Sequence, residues 1–134
     1  MQASDRDWLD GRAQAERKEI FRKLTARVAG ALEREWSFVA RREQLAPEGD
    51  WRIWLMMAGR GFGKTRAGAE WVLGIAKADP SARIALVGAT LGEARSVMVE
   101  GASGLLSISP GWARPAYAPA LRKLTWPNGA MATQ

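Results

Sequence analysis

A chain of 134 residues, 47% hydrophobic and 25% charged, has enough apolar material for one modest core and too little for a complete nucleotide-driven motor. It contains no Cys and no His, which excludes disulfides, thiolate metal sites and imidazole as zinc ligand or general base; hydrolytic chemistry must rest on carboxylates, Lys or Arg. The net charge of +6 is uneven: residues 1–50 hold 10 Lys/Arg and 10 Asp/Glu, while residues 51–134 hold 10 Lys/Arg and 4 Asp/Glu, a bias that suits an anionic nucleotide or a polyanion and equally an ordinary basic surface. With no apolar run near ~18 residues and no short apolar segment ahead of a cleavage site, neither a membrane span nor a secretory signal is expected, and the cytoplasm is the natural compartment.

Ser4, Asp5, Arg6 and Asp7 fit a capping box, so a helix is expected from Asp5. Ile20, Leu24, Val28, Leu32 and Trp36 then recur every four residues and draw one apolar stripe along a helix whose other faces are charged. Such a stripe either packs on the domain that follows or binds a partner. Pro47, Glu48, Gly49 and Asp50 close the region as a turn, which sets a helical leader at 1–47 and an α/β domain at 48–134.

The apolar residues 51–57 read as a strand, and they run directly into Ala58, Gly59, Arg60, Gly61, Phe62, Gly63, Lys64 and Thr65. These eight fill the frame [AG]-x-x-x-x-G-K-[ST] of a phosphate-binding loop, with a helix-like stretch after it. In that reading the glycine turn aims backbone N–H groups at an anion, the helix adds its positive dipole end, Lys64 reaches the β- and γ-phosphates and the Thr65 hydroxyl holds Mg²⁺. A glycine-rich turn that binds nothing explains the glycines but gives Lys64 and Thr65 no purpose. A dinucleotide turn is disfavoured, because the glycines read G-x-G-x-G and the nearest later acid, Asp79, stands before Pro80.

Beyond the loop, Ala67, Trp71, Ile75 and Ala78 mark one helical face, ending at Asp79 and Pro80. Residues 83–87 read as a strand buried on both faces, which would complete a parallel βαβ unit of a P-loop NTPase sheet. A second helix over 91–100 has Thr90 as its cap, residues 101–119 show no clear period, and residues 121–133 around Pro127, Asn128 and Gly129 look like a hairpin. An ATPase of this kind also needs a strand ending in a magnesium-positioning acid. Glu100 ends the one apolar run of that form, though its setting favours a helix, so the chain is expected to stop before those elements.

The string from Gly49 to Leu55, the loop continuing through Arg66, Ala67, Gly68, Ala69, Glu70 and Trp71, and the later Leu124, Thr125, Trp126, Pro127, Asn128 and Gly129 resemble the start of the ATPase domain of phage terminase large subunits. The likeness is nearest to the group in gene transfer agents and related prophages, and it runs over roughly residues 36–134. It implies an ATP- and Mg²⁺-dependent motor that threads double-stranded DNA into a capsid in the bacterial host cytoplasm. The implied partners are the portal protein, the small terminase subunit and further copies of the chain, with a C-terminal nuclease outside this piece. Lys64 and Arg60 become the catalytic candidates, Arg60 as a γ-phosphate sensor or finger or else as a brace for the loop. Gln44 matches the position that reads adenine, or is an ordinary surface glutamine. Lacking the magnesium acid, the catalytic glutamate and the nuclease carboxylates, the piece is expected to bind nucleotide without turnover. A non-catalytic docking module and, more remotely, a small-molecule kinase are the alternatives.

Overall fold

The computed structural model describes Val28 and residues 35–134, and the chain divides into two compact units, Met1–Met56 and Met57–Gln134. The helix expected from Asp5, with Ile20, Leu24 and Leu32 of the stripe, lies outside the described residues. Val28 is helical and 45% exposed, and Trp36 opens α1 (Trp36–Val39). A 3₁₀ turn follows over Arg42–Gln44. The Trp51 indole donates to the Pro47 carbonyl at 2.8 Å, fastening the turn expected at residues 47–50.

The second unit is built on α2 (Lys64–Ala78). The helix ends where expected, because Pro80 disfavours helical geometry at Asp79, whose φ of −127° and ψ of 104° are extended. Its inner face is Ala69, Val72, Leu73 and Ala76, the i, i+3, i+4, i+7 spacing of a buried stripe. Of the face expected through Ala67, Trp71, Ile75 and Ala78, Trp71, 39% exposed, and Ala78 are turned outward, while Ala67 is fully buried and Ile75 packs partly buried against the core. Small side chains win the inner position because they let the helix lie close to its neighbours, where an indole would hold it off.

β1 (Arg83–Ala85), β2 (Ala116–Ala118), β3 (Lys123–Thr125) and β4 (Met131–Thr133) form one mixed sheet in the order β1-β4-β3-β2. β1 runs parallel to β4, with Ile84 opposite Ala132, while β4 with β3 and β3 with β2 are antiparallel. The expected hairpin is β3 and β4. Its turn carries Gly129 at a φ of 103°, and the Asn128 amide donates to the Ala76 carbonyl at 2.7 Å while its oxygen accepts from Ala130 N at 3.2 Å.

The parallel βαβ unit is not formed. Residues 51–57 enter no ladder of the sheet, and Ile53, Leu55 and Met57 are 85%, 74% and 84% exposed. An apolar run becomes a strand only where a neighbouring edge takes its hydrogen bonds, and among the described residues β4 alone flanks β1. β1 is therefore an edge strand, with Arg83 and Ala85 exposed rather than buried on both faces.

α3 spans Leu91–Glu93 and continues as a π-helical turn over Ala94–Val99, and the Thr90 hydroxyl caps it by accepting from Glu93 N at 3.1 Å. The π geometry shows in the bond from Glu100 N to Arg95 O at 2.9 Å and in an Arg95–Glu100 ion pair at the same five-residue spacing, 2.9 Å. Glu100 thus closes a helix opposite Arg95, whose guanidinium it holds above its ordinary pKa; it does not end a strand as a magnesium acid would. α4 (Leu105–Ile108) and β2 bring order to the stretch without a clear period. Val99, Leu105 and Leu124 are the largest fully buried side chains, packed with the inner face of α2.

Replacing Asn128 by Ala removes the tie between the hairpin turn and the last turn of α2, and should lower unfolding stability by about 1–2 kcal/mol in urea titrations. The Asp79 carboxyl is held below the usual aspartate range by the Ser81 hydroxyl first, then by Ser81 N–H and the Arg83 charge. A lowered folded-state pKa makes its contribution complete above the ordinary aspartate pKa, and that contribution is lost as pH falls through the lowered value. Carboxyl NMR should give Asp79 a midpoint under the ordinary value, moving back up in Ser81→Ala.

Candidate functional site

Residues 58–65 form a tight turn that ends in α2. Gly61 and Gly63 have φ of 77° and 90°, a region where a side chain meets its own backbone, and Gly63 is also the N-cap residue of α2. Having no side chain, Gly63 gives the helix no cap of the kind Ser or Asp would provide, and no acidic residue stands in the first turn. The start of this 15-residue helix therefore keeps the positive end of its dipole uncompensated by protein charge.

The Lys64 side chain folds back over the turn. Its ammonium donates to the Ala58 carbonyl at 2.6 Å and to the Gly59 carbonyl at 2.8 Å, which closes the loop into a ring and leaves one of its three N–H groups without a partner among the described residues. Arg60 sits at the exposed tip with no hydrogen bond or ion pair among the described residues. Thr65 is exposed beside Lys64, and Phe62 is partly buried. Arg66 points along the helix to Glu70, with a 2.7 Å ion pair, and so neutralises the acid nearest to the loop.

Next to Lys64 and Thr65 opens a groove of about 400 Å³, floored by Ala69 and Val72 of α2 and walled by Leu86, Val87, Val97 and Met98. Its walls are mostly apolar, with Lys64 and Thr65 at one end. Sequence reasoning did not find this groove, because its walls come from three separate segments. Gln44 lies in the first unit, 8% exposed, its side-chain oxygen accepting from Arg41 N at 3.0 Å. Among the described residues no group of three or more Asp, Glu, His or Cys could hold a metal ion, and no helix is long and apolar enough to cross a membrane.

Residues 55–133, more than half of the chain, match the family model described as terminase large subunit, T4likevirus-type, N-terminal. The chain belongs to that family. Comparison with curated proteins and with solved structures found no match. The terminase match takes in the glycine turn, α2 and all four strands, so the small α/β unit described above is what the family model covers.

Because Gly63 holds a left-handed conformation and Gly59 does not, the two should respond differently to Ala. Gly63→Ala is expected to lose about 1–2 kcal/mol of stability, while Gly59→Ala, whose added Cβ would meet nothing within 4 Å, should be neutral or slightly stabilising. Thermal melts of the two variants read the difference.

Proposed function

We propose that this chain is the nucleotide-gripping part of a terminase large subunit, with residues 58–65 holding the phosphates of ATP-Mg. The observation that carries the reading is Lys64, held across a turn of left-handed glycines at the uncapped start of α2. Backbone N–H groups of the turn, the helix dipole and one ammonium converge there, and they are the components that stabilise negative charge spread over phosphate oxygens. The family supports the packaging role of the parent protein, in which ATP hydrolysis drives double-stranded DNA through the portal, with the small terminase subunit and further copies as partners.

The residues suit Mg²⁺ as a guest shared with the substrate. Mg²⁺ takes one or two protein oxygens plus phosphate oxygens and water, and the exposed Thr65 hydroxyl is such an oxygen, with no rival carboxylate cage among the described residues. Bound there, the ion would neutralise charge on the β- and γ-phosphates. Arg60, free at the loop tip, is placed to follow the γ-phosphate as a sensor or finger. A role for Gln44 toward adenine belongs to the same proposal; its side-chain oxygen would first have to release Arg41 N.

Calorimetry of the folded chain with a slowly hydrolysed ATP analogue and Mg²⁺ should give a heat of binding, with affinity at least roughly tenfold lower in Lys64→Ala, a loss in keeping with one charge-assisted contact. Thr65→Ala should bind with a reduced response to Mg²⁺. An absence of heat in the intact chain, or equal affinity in Lys64→Ala, would remove the reading.

A further inference from the structure

At the far end of α2, about 20 Å along the helix from Lys64, lies a second cavity of about 270 Å³. It is formed by Lys77 from the last turn of α2, Trp112 from a 3₁₀ turn over Gly111–Ala113, and Trp126, Pro127 and Asn128 at the hairpin. The volume is under the roughly 300–1,000 Å³ of sites for drug-sized ligands and suits a single planar group.

Three features of this cavity are unexplained by folding. Trp112 is 71% exposed, although indole is the largest apolar side chain and gains most from burial. The Lys77 ammonium stands over its ring, 5.0 Å from the centroid, in a contact that is weak at an exposed site. Trp126 is 3% exposed, and its buried Nε1–H has no hydrogen-bond partner among the described residues, where a buried indole N–H ordinarily finds one. Asn128 is fully engaged with Ala76 and Ala130 and acts as scaffold.

We propose that this cavity takes one unpaired base of a single-stranded nucleic acid. The three features match the three chemical parts of a nucleotide. The open face of Trp112 stacks on the base, the Trp126 N–H, closed to solvent in this structure, donates to an acceptor on the base edge once its ring shifts toward the opening, and the Lys77 ammonium, released from the indole of Trp112, meets the adjoining phosphate. An acidic peptide would use Lys77 and leave the flat indole face and the inner donor idle. Lys77 is the one charged residue lining the cavity, and residues 51–134 as a whole carry 10 Lys/Arg against 4 Asp/Glu, a balance that suits a polyanion. A base inside a duplex has no face to offer, so the strand must be unpaired. This inference is independent of ATP binding, because the two sites sit at opposite ends of α2.

Fluorescence anisotropy of labelled oligo-dT and of a duplex of equal length, titrated with the full chain at low salt, tests it. Oligo-dT should bind more tightly than the duplex and lose affinity steeply with added salt. Trp112→Ala should weaken oligo-dT binding by about tenfold and leave duplex binding unchanged. Trp126→Phe, which keeps a ring and deletes the donor, should weaken it severalfold, and Lys64→Ala should not change it. Trp112 and Lys77 are exposed, so Trp112→Ala and Lys77→Gln leave the core intact even where Trp126→Phe disturbs folding. Equal affinity for duplex and oligo-dT, an unaltered affinity in Trp112→Ala, or displacement of oligo-dT by a poly-glutamate peptide at similar concentration would each overturn the proposal.

Discussion

The burial of one narrow face of α2 governs the second unit. Ala69, Val72, Leu73 and Ala76 pack in one cluster with Val99, Leu105, Leu124 and Ala132, and each buried Val or Leu contributes about 1.5–3 kcal/mol. α2 joins several segments of the unit: it touches α4 and the π-helical turn of α3, and through Asn128 its last turn holds the hairpin. Because the face uses alanines where other helices use larger residues, α2 lies deep, and both of its ends open at the surface with fixed orientation. One end carries the glycine turn and the other carries Lys77 beside Trp112. A helix seated in this way is a rigid rod between two chemically different mouths.

Local chemistry was legible wherever a residue acts on its immediate neighbours. Asp79 before Pro80 ends α2, Thr90 caps α3, and Asn128 with Gly129 turns the hairpin, all as the residue types dictate. Legibility failed where the outcome depends on a partner distant in sequence. The apolar run over residues 51–57 suits a strand, yet a ladder needs an adjacent edge, and that edge is not specified by the segment itself. β2 was hidden by Pro115 and Pro119 on either side of it, because three residues suffice for pairing once β3 is in place. The expected face of α2 through Ala67, Trp71, Ile75 and Ala78 is half right, since Ala67 and Ile75 face the core, but the indole of Trp71 is too bulky for the close approach that Ala69 and Ala76 allow.

For the candidate site, the positions of Gly61, Gly63, Lys64 and Thr65 could be read from spacing, since turn geometry and helix start follow from the order of the residues. What spacing could not supply was the direction of the Lys64 side chain or the company of Arg60. The first depends on carbonyls that the turn itself orients, the second on where the acids pair: two of the four acids of the second unit, Glu70 and Glu100, face Arg66 and Arg95, and among the described residues none pairs with Arg60.

Lys64 illustrates how such a loop can bind an anion without a strong contact of its own. An exposed ammonium interacts weakly with any single oxygen, since water screens the charge and a free lysine loses up to about 2 kcal/mol of rotamer entropy when it is fixed. Here the Ala58 and Gly59 carbonyls have already fixed the side chain, and they occupy two of its three donors. The ordering cost is met during folding, and the remaining N–H can approach a phosphate oxygen without breaking either existing bond. Fixing the ammonium also keeps it from drifting toward the apolar groove beside Ala69 and Val72, where it would lose hydration and gain nothing. The loop therefore trades contact strength for placement, and placement is what binding an extended chain of phosphates requires, because several modest donors must meet it in one geometry at the same time.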